Sequence, residues 1–222
     1  MKKKEMSSDE IFNELLERYP ALTVCRESIL ETHKMLTECY RNGGKLLIAG
    51  NGGSAADSEH IVGELMKSFR FNRRINHSFE CEMKKQFGLE GQALTNKMEG
   101  TLSAIPLTSM PALTSAFSND VDAAVGFAQM LYGYGNKGDV FIGITTSGNS
   151  RNILYALMTA KAKGIHSVAL TGQTGGKARE LCDVAICVPS ESTFAIQEYH
   201  LPVYHALCAM LEADFFEEKE SE

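Results

Sequence analysis

Apolar residues in this chain fall into two recurring patterns, short continuous runs and longer stretches with helical spacing. Five runs have strand length, at about 45–49, 103–107, 139–145, 166–172 and 183–189. Because helical segments separate these runs, their order predicts a parallel sheet that is wound on both sides. We therefore expect an α/β fold, with a doubly wound, mostly parallel five-stranded sheet, helices on both faces and additional N-terminal helices.

The remaining apolar residues predict the helices. Two helices are expected within residues 8–42, interrupted at "YPAL" with Pro20 near the start of the second, and "NGG" at 42–44 ends that second helix. Further helices are expected at about 54–68, 110–117, 120–132, 150–164, 175–182 and 194–218. Residues 70–101 are polar and lack a clear period, but they have room for one or two helices.

Composition and charge narrow the class of protein. The 222 residues are 44% hydrophobic and 23% charged, as in soluble globular proteins, and no linker divides them. We expect one domain, with N-terminal helices over 1–44 and a frayed acidic tail at 219–222. A net charge of −6 without a basic stripe argues against nucleic acid as a partner.

No membrane partner and no export are expected either. No apolar run reaches the 18 residues of a membrane span, and "MKKKE" is too short and polar for a secretory signal. The six cysteines contain no C-x-x-C pair, which favours reduced, buried and inert thiols in a cytoplasmic protein. They are Cys25, Cys39, Cys81, Cys182, Cys187 and Cys208.

The segment "GNGGSAADSEHIVGE" at 50–64 reads as a strand end, a glycine turn and a helix. Its glycines permit positive φ and close approach to a ligand, and Ser54 is the expected N-cap of the helix. A helix N-terminus reached through such a turn can bind an anion. The residues alone leave open whether this turn binds a ligand or only connects two elements, because it matches neither common phosphate-loop motif.

A second loop, "ITTSGNS", follows a buried strand and enters a helix at Ser150. Four hydroxyls surround this helix N-terminus, and Gly148 and Asn149 allow unusual backbone angles. Hydroxyls and free N–H groups suit a phosphate monoester, and the absence of a lysine argues against a nucleoside triphosphate. In a doubly wound sheet, loops 50–54, 145–150 and 171–175 meet at the carboxyl ends of the strands, where ligands bind.

Five motifs occur together in a family order. They are "GNGGSAADSEH", "SND" at 118–120, "GITTSGNSRNILYAL", "ALTGQTGGKAREL" and "VPSESTFAIQEYHLPVYHALCAMLE". From about residue 30 to 213 the chain resembles the sugar isomerase (SIS) domain family, in its phosphoheptose isomerase branch. The resemblance implies a homotetramer with active sites between subunits, and conversion of sedoheptulose 7-phosphate to an aldose, glycero-manno-heptose 7-phosphate.

The resemblance also assigns roles to residues. It implies a catalytic acid–base pair formed by Glu64 and His205, and a zinc ion, one per subunit, held by His60, Glu64, Gln197 and His205. It implies a binding site for the phosphorylated sugar, in which the hydroxyl residues hold the phosphate. The substrate-binding residues are Asn51, Gly52, Gly53, Ser54, Asn119, Asp120, Thr145, Thr146, Ser147, Ser150 and Gln197.

The chemistry is compatible with these residue types. Moving a proton between adjacent carbons needs a base and an acid, and His60 and Glu64 project from one helix face with a spacing common in zinc sites. A buried structural histidine beside a surface glutamate is the alternative. Gln197 and His205 are separated by about 12 Å of helix rise, so the residues alone leave His200 as a rival ligand.

The chain departs from the family pattern in two places. About 25 residues, near 77–102, are inserted between the first helix of the sheet and the next strand. Ala195 stands where the family has arginine, and Phe194 stands where a polar residue is usual. We expect the insertion to form one or two helices on a neighbouring subunit, either close to the active-site entrance or as a peripheral brace.

Two further points stay open from the sequence. Arg70, Arg73 and Arg74 either steer an anionic substrate or belong to an exposed polar loop. An SIS adaptor that binds a replication initiator, without catalysis, is the alternative function, and a sugar-phosphate sensor is another. Retention of both Glu64 and His205 argues against the adaptor.

Overall fold

A computed structural model describes residues 6–216, so the expected acidic tail at 219–222 and the "MKKKE" start lie outside the described residues. The chain begins with α1 (Ser8–Arg18), a 3₁₀ segment (Pro20–Cys25) and α2 (Arg26–Arg41). The sequence pattern predicted that Pro20 lies near the start of the second α-helix. In the structure, Pro20 instead opens the separate 3₁₀ segment. Proline suits the first turn of a helix for two reasons. Its fixed φ matches the helical value, and it has no N–H group that would lack a partner there.

The strands and their helices follow in alternating order. The elements are β1 (Leu46–Gly50), α3 (Gly53–Met66), α4 (His77–Thr95), β2 (Ala104–Pro106), α5 (Pro111–Asp120), α6 (Gly126–Tyr134), β3 (Val140–Thr145), α7 (Arg151–Lys163), β4 (His166–Thr171), α8 (Ala178–Leu181), β5 (Val184–Cys187) and α9 (Thr193–Phe216). The prediction of a helix over 120–132 is wrong about where that helix begins. Asp120 ends α5, and the Asp122 carboxylate caps a short 3₁₀ segment, Ala123–Val125, before α6.

The five strands form one sheet in the order β2-β1-β3-β4-β5, and every neighbouring pair is parallel. This confirms the predicted doubly wound fold. The chain leaves β1 for β2 on one side and returns to β3 on the other, so the direction of winding reverses between β1 and β3. Ligands of such sheets bind at that reversal, beyond the carboxyl ends of β1 and β3.

Two apolar cores cover the two faces of the sheet. Alternate residues of β1 face opposite sides, so that Leu46 and Ile48 belong to one core and Leu47 and Ala49 to the other. All five residues of β1 are buried, as expected of a strand covered on both faces. Within the described residues, no helix has both the length and the apolar content needed to cross a membrane.

Helix α4 occupies the inserted segment. It consists of two helical pieces joined at Gly88, whose φ of 60° breaks the helical conformation. This confirms that the polar segment holds helix. Within residues 6–216, α4 has no extensive packing against another helix or strand. Leu89 and Phe87 keep 83% and 57% of their surface exposed.

All six cysteines are free. Cys25, Cys39 and Cys208 are buried as expected, and burial raises the pKa of Cys25 and of Cys39 to about 11. The expectation of uniformly buried thiols is wrong for Cys81, which is exposed on α4 because that helix lacks a covering layer.

Candidate active site

The loop after β3 lies at the point where the winding reverses. Thr145 is buried, and its hydroxyl lies 2.9 Å from the Ser150 hydroxyl at the start of α7. Ser150 is the N-cap residue, but its side chain makes no capping hydrogen bond to the helix. Ser147 is exposed beside it and Thr146 is partly exposed. The predicted hydroxyl cluster therefore exists at a helix N-terminus that favours anions.

The backbone of this loop is fixed by its neighbour. Gly148 has a φ of 66°, and a Cβ there would collide with the carbonyl of Gly175 in the loop after β4. The Gly148 carbonyl accepts a hydrogen bond from the Ala178 amide at 2.9 Å. Only glycine satisfies both the angle and the close approach. The two loops thus form one rigid surface.

The loop after β1 joins the same surface. Asn51 and Asn152 exchange two amide hydrogen bonds, of 3.0 and 2.8 Å, which tie this loop to the first turn of α7. Asn152 was not singled out from the sequence, although it follows the hydroxyl loop directly. Asn51 is exposed, so its predicted contact with the sugar stays a prediction.

The glycine turn after β1 differs from the sequence prediction in the residue that forms the N-cap of α3. Gly52 occupies the N-cap position with a φ of 57°, and α3 begins at Gly53. Ser54 is therefore a buried residue of the first turn and not the N-cap, because the turn requires positive φ one residue before the helix. The Gln197 amide lies against Gly53, where an added Cβ would meet its Nε2 at 2.5 Å. Gln197 thus faces the glycine turn.

Asn119 and Asp120 lie at the exposed end of α5. The Asn119 amide donates to the Asp120 carboxylate at 2.7 Å. Nearby, Asp122 pairs with Arg151 at 3.0 Å, which connects this end of α5 to the first residue of α7. This arrangement leaves the predicted sugar-binding roles of Asn119 and Asp120 as predictions.

A second cluster lies further along α3, where His60 and Glu64 meet His205 of α9. His60 Nε2 lies 3.0 Å from Glu64 Oε1 and 3.5 Å from His205 Nε2. His60 is exposed and Glu64 half-buried, the reverse of a buried histidine beside a surface glutamate. Burial, and then the neighbouring His60, lower the pKa of His205, and Glu64 opposes this shift. The fold therefore brings one carboxylate and two imidazoles together from two different helices.

The geometry of this cluster suits a metal ion. Ligand atoms of the three residues lie within 4.8 Å of one another. In a tetrahedral zinc site with bonds of about 2.0–2.1 Å, neighbouring ligand atoms are about 3.3 Å apart. The two separations at His60 bracket that value. The residues present therefore fit a zinc ion.

One tyrosine and one aspartate lie on the far side of His60 from Glu64. The Tyr204 hydroxyl is 3.0 Å from His60 Nδ1 and donates to Asp57 Oδ1 at 3.2 Å. Burial, followed by the Asp57 carboxylate, raises the pKa of Tyr204, which keeps the hydroxyl protonated. Neither residue was singled out from the sequence.

His200, the rival of His205, lies elsewhere. Its side chain is fully buried, and neither ring nitrogen has a hydrogen-bond partner within the described residues. Burial lowers its pKa to about 4, so that the ring is neutral. The metal-compatible cluster contains His205 and not His200.

Arg73 is neither exposed nor free to steer a substrate. Only 1% of its surface is exposed, and its guanidinium donates to the carbonyls of Glu64 and Leu65 at 2.7 and 2.8 Å. Its Nε donates to the buried Glu212 carboxylate at 2.7 Å. Both interpretations offered from the sequence are wrong for Arg73, because the end of α3 needs a donor for its free carbonyls.

Comparison with known proteins identifies the same family. The SIS domain profile matches residues 93–213. The chain is 42% identical to phosphoheptose isomerase of Aneurinibacillus thermoaerophilus over 182 residues, 82% of this chain and 79% of that enzyme. It is 40% identical to phosphoheptose isomerase 2 of Campylobacter jejuni over 195 residues, 88% and 82% of the two chains.

A solved structure agrees in fold. Phosphoheptose isomerase GmhA from Neisseria gonorrhoeae superposes with a TM-score of 0.71 at 30% identity, over 91% of this chain and 95% of that one. Sequence and fold thus agree, and the chain belongs to the SIS domain family, among relatives that are phosphoheptose isomerases.

Proposed function

We propose that this protein interconverts sedoheptulose 7-phosphate and glycero-manno-heptose 7-phosphate by enediol proton transfer. The observation that carries the proposal is the meeting of Glu64 and His205, from α3 and α9. The same chain also has a hydroxyl-lined helix N-terminus, which lies near the other end of α3. The names of relatives at 42% and 40% identity support the substrate.

Different residues of the chain bind the phosphate and transfer the protons. The hydroxyls of the loop after β3 hold the phosphate and orient the sugar. Glu64 removes a proton from C1 of the ketose and returns a proton to C2 of the enediol. His205 gives a proton to the C2 oxygen and accepts the proton that leaves the C1 hydroxyl, so the aldose forms without net gain or loss of protons.

A bound metal ion would contribute to the same reaction. His60, Glu64 and His205 would hold a zinc ion, which when bound supplies Lewis-acid polarisation of the sugar oxygens. The amide of Gln197, which was expected as a further ligand, lies against Gly53 at the start of α3. Gly53 precedes His60 by seven residues, which is about 10 Å of helix rise.

The function is tested with purified protein and sedoheptulose 7-phosphate. Aldose formation, followed by proton NMR, is expected, and it should fall after chelation and return when zinc is added. Turnover absent on every ketose phosphate of five to seven carbons would overturn the proposal. Stable capture of a replication initiator without turnover would favour the adaptor, and tight sugar-phosphate binding without turnover would favour the sensor.

Ser147→Ala and Ser150→Ala test the phosphate site. Each change removes one hydroxyl donor to a charged group, so each is expected to weaken binding of the phosphorylated sugar by about 1.5–3 kcal/mol. Calorimetric titration measures the effect, and Ser115→Ala, on exposed α5, is the matched control. Equal affinities of wild-type protein for phosphorylated and dephosphorylated sugar would contradict the assignment.

We also propose that the protein works as a homotetramer with its active sites between subunits. The two clusters lie near opposite ends of α3, with Ser54 and Glu64 about 15 Å apart by helix rise. A neighbouring subunit would complete each site. The exposed apolar side chains of α4 support this assembly, since no layer of residues 6–216 covers them.

Charge placed on α4 tests its docking on a neighbour. The double variant Phe87→Asp and Leu89→Asp is expected to dissociate the tetramer, because each carboxylate would lose its water on burial. Light scattering measures the mass, and Lys84→Asp puts a carboxylate on the same helix at an already charged position. An intact tetramer with an altered Michaelis constant would assign α4 to the active-site entrance. An intact tetramer with unchanged kinetics would contradict both roles.

A further inference from the structure

Tyr204 links the candidate metal cluster to a carboxylate that the proposed reaction does not use. It is 2% exposed on α9, and its ring packs edge-on against both His60 and His205, with centroid distances of 5.5 and 5.0 Å. Its hydroxyl lies between His60 Nδ1, at 3.0 Å, and Asp57 Oδ1, at 3.2 Å. Asp57 and His60 are on the same helix, three residues apart.

The protons in this chain of contacts can be assigned. A carboxylate only accepts hydrogen bonds, so the single proton of the Tyr204 hydroxyl points to Asp57. The hydroxyl oxygen must then accept from His60 Nδ1–H. The neutral His60 ring therefore carries its proton on Nδ1 and presents the lone pair of Nε2 to Glu64 and His205.

The position of the ring proton matters because of the contact on the other side of the His60 ring. His60 Nε2 lies 3.0 Å from Glu64 Oε1, so that a lone pair faces a carboxylate oxygen. Two such atoms at this distance need a cation between them, either a proton or a metal ion. Fixing the ring proton on Nδ1 leaves Nε2 available to a metal ion.

We propose that Tyr204 and Asp57 are positioning residues that fix the tautomer and ring orientation of His60 for metal binding. The inference rests on the proposed metal centre and deepens it. The hydrogen bonds of the pair run to His60 and between the two residues themselves, and not to the loop after β3. Groups that hold the outer nitrogen of a ligand histidine typically change metal affinity by about 10- to 100-fold.

Metal affinity tests the inference directly, without activity. Tyr204→Phe removes the hydroxyl alone and keeps the ring packed between the histidines. We expect its zinc dissociation constant, measured by competition with a chromophoric chelator, to rise by about 10- to 100-fold over wild type. Tyr199→Phe, on the same helix but outside the cluster, should leave the constant unchanged.

Two further measurements separate orientation from general damage. Asp57→Asn keeps an acceptor for Tyr204 but removes the charge, and it should weaken zinc binding less than Tyr204→Phe. With cobalt in place of zinc, the visible absorption band should shift in Tyr204→Phe and not in Tyr199→Phe. This band reports ligand geometry, so a loss of stability alone would not move it.

The outcomes distinguish the two proposals. Zinc bound equally by wild type and Tyr204→Phe, with unchanged cobalt spectra, would overturn the positioning role and leave the metal centre standing. Failure of the wild-type protein to bind zinc would overturn the metal centre and the positioning role together. If Tyr204→Phe does not fold, Asp57→Ala, which removes the acceptor of the Tyr204 hydroxyl, decides through the same zinc affinity and cobalt spectrum.

Discussion

Glu64→Gln is expected to lower the turnover of sedoheptulose 7-phosphate by at least about a hundredfold, which is the usual cost of losing a general base. The amide keeps the shape of the side chain but cannot take a proton from C1. Substrate binding should change little, because the proposed phosphate-binding loop, after β3, lies near the other end of α3. Steady-state kinetics and calorimetric binding measure the two effects separately.

Glu59→Gln is the matched control for this experiment. Glu59 is an exposed carboxylate on the same helix, and its Oε1 accepts a hydrogen bond from the Ser109 hydroxyl at 2.8 Å. Its turnover should stay near that of wild type. Turnover of Glu64→Gln within a factor of about three of wild type would mean that Glu64 is not the base. Zinc content should be measured in parallel, since Glu64 is also a proposed ligand.

Arg73→Met is expected to produce the largest loss of stability, about 3–5 kcal/mol in the free energy of unfolding. The change leaves the Glu212 carboxylate buried without its cation, and it leaves the carbonyls of Glu64 and Leu65 without their donor. Among the described residues, the Glu212 carboxylate would then keep the amides of Phe69 and Arg70 as its donors. Urea unfolding followed by circular dichroism, at one fixed protein concentration, measures the loss.

Arg70→Met serves as the control because that side chain is exposed, and its effect should stay within about 0.5 kcal/mol. The double variant Arg73→Met and Glu212→Leu should recover part of the loss, because it removes both buried charges together. A loss below about 1 kcal/mol for Arg73→Met would show that the buried pair does not hold the end of α3.

The sequence predicted the sheet well because its central strands, β1, β3 and β4, are buried on both faces and read as continuous apolar runs. The hydroxyl loop was equally visible, since Thr145 to Ser150 are contiguous. Contacts between distant segments were not visible in this way. The amide exchange of Asn51 with Asn152 and the contact of Gln197 with Gly53 depend on how strands and helices pack.

Arg73 and Ser54 show two different reasons for error. A buried arginine is rare, so an arginine in a polar segment reads as exposed. Its burial depends on Glu212, which lies 139 residues further along the chain. Ser54 has the side chain of a typical N-cap residue, but the positive φ of Gly52 moves the start of α3 two residues earlier than the cap preference indicates. His200 and His205 could not be separated until the direction of each side chain on α9 was known.

The contact between Gly148 and the carbonyl of Gly175 has a thermodynamic consequence for ligand binding. It locks the proposed phosphate-binding loop and the loop after β4 into one shape, so their conformational entropy is lost when the protein folds and not when the sugar arrives. Binding to preordered groups retains more of the interaction energy as affinity. A small phosphorylated fragment should therefore keep a larger share of the affinity of the full substrate than its number of atoms would indicate.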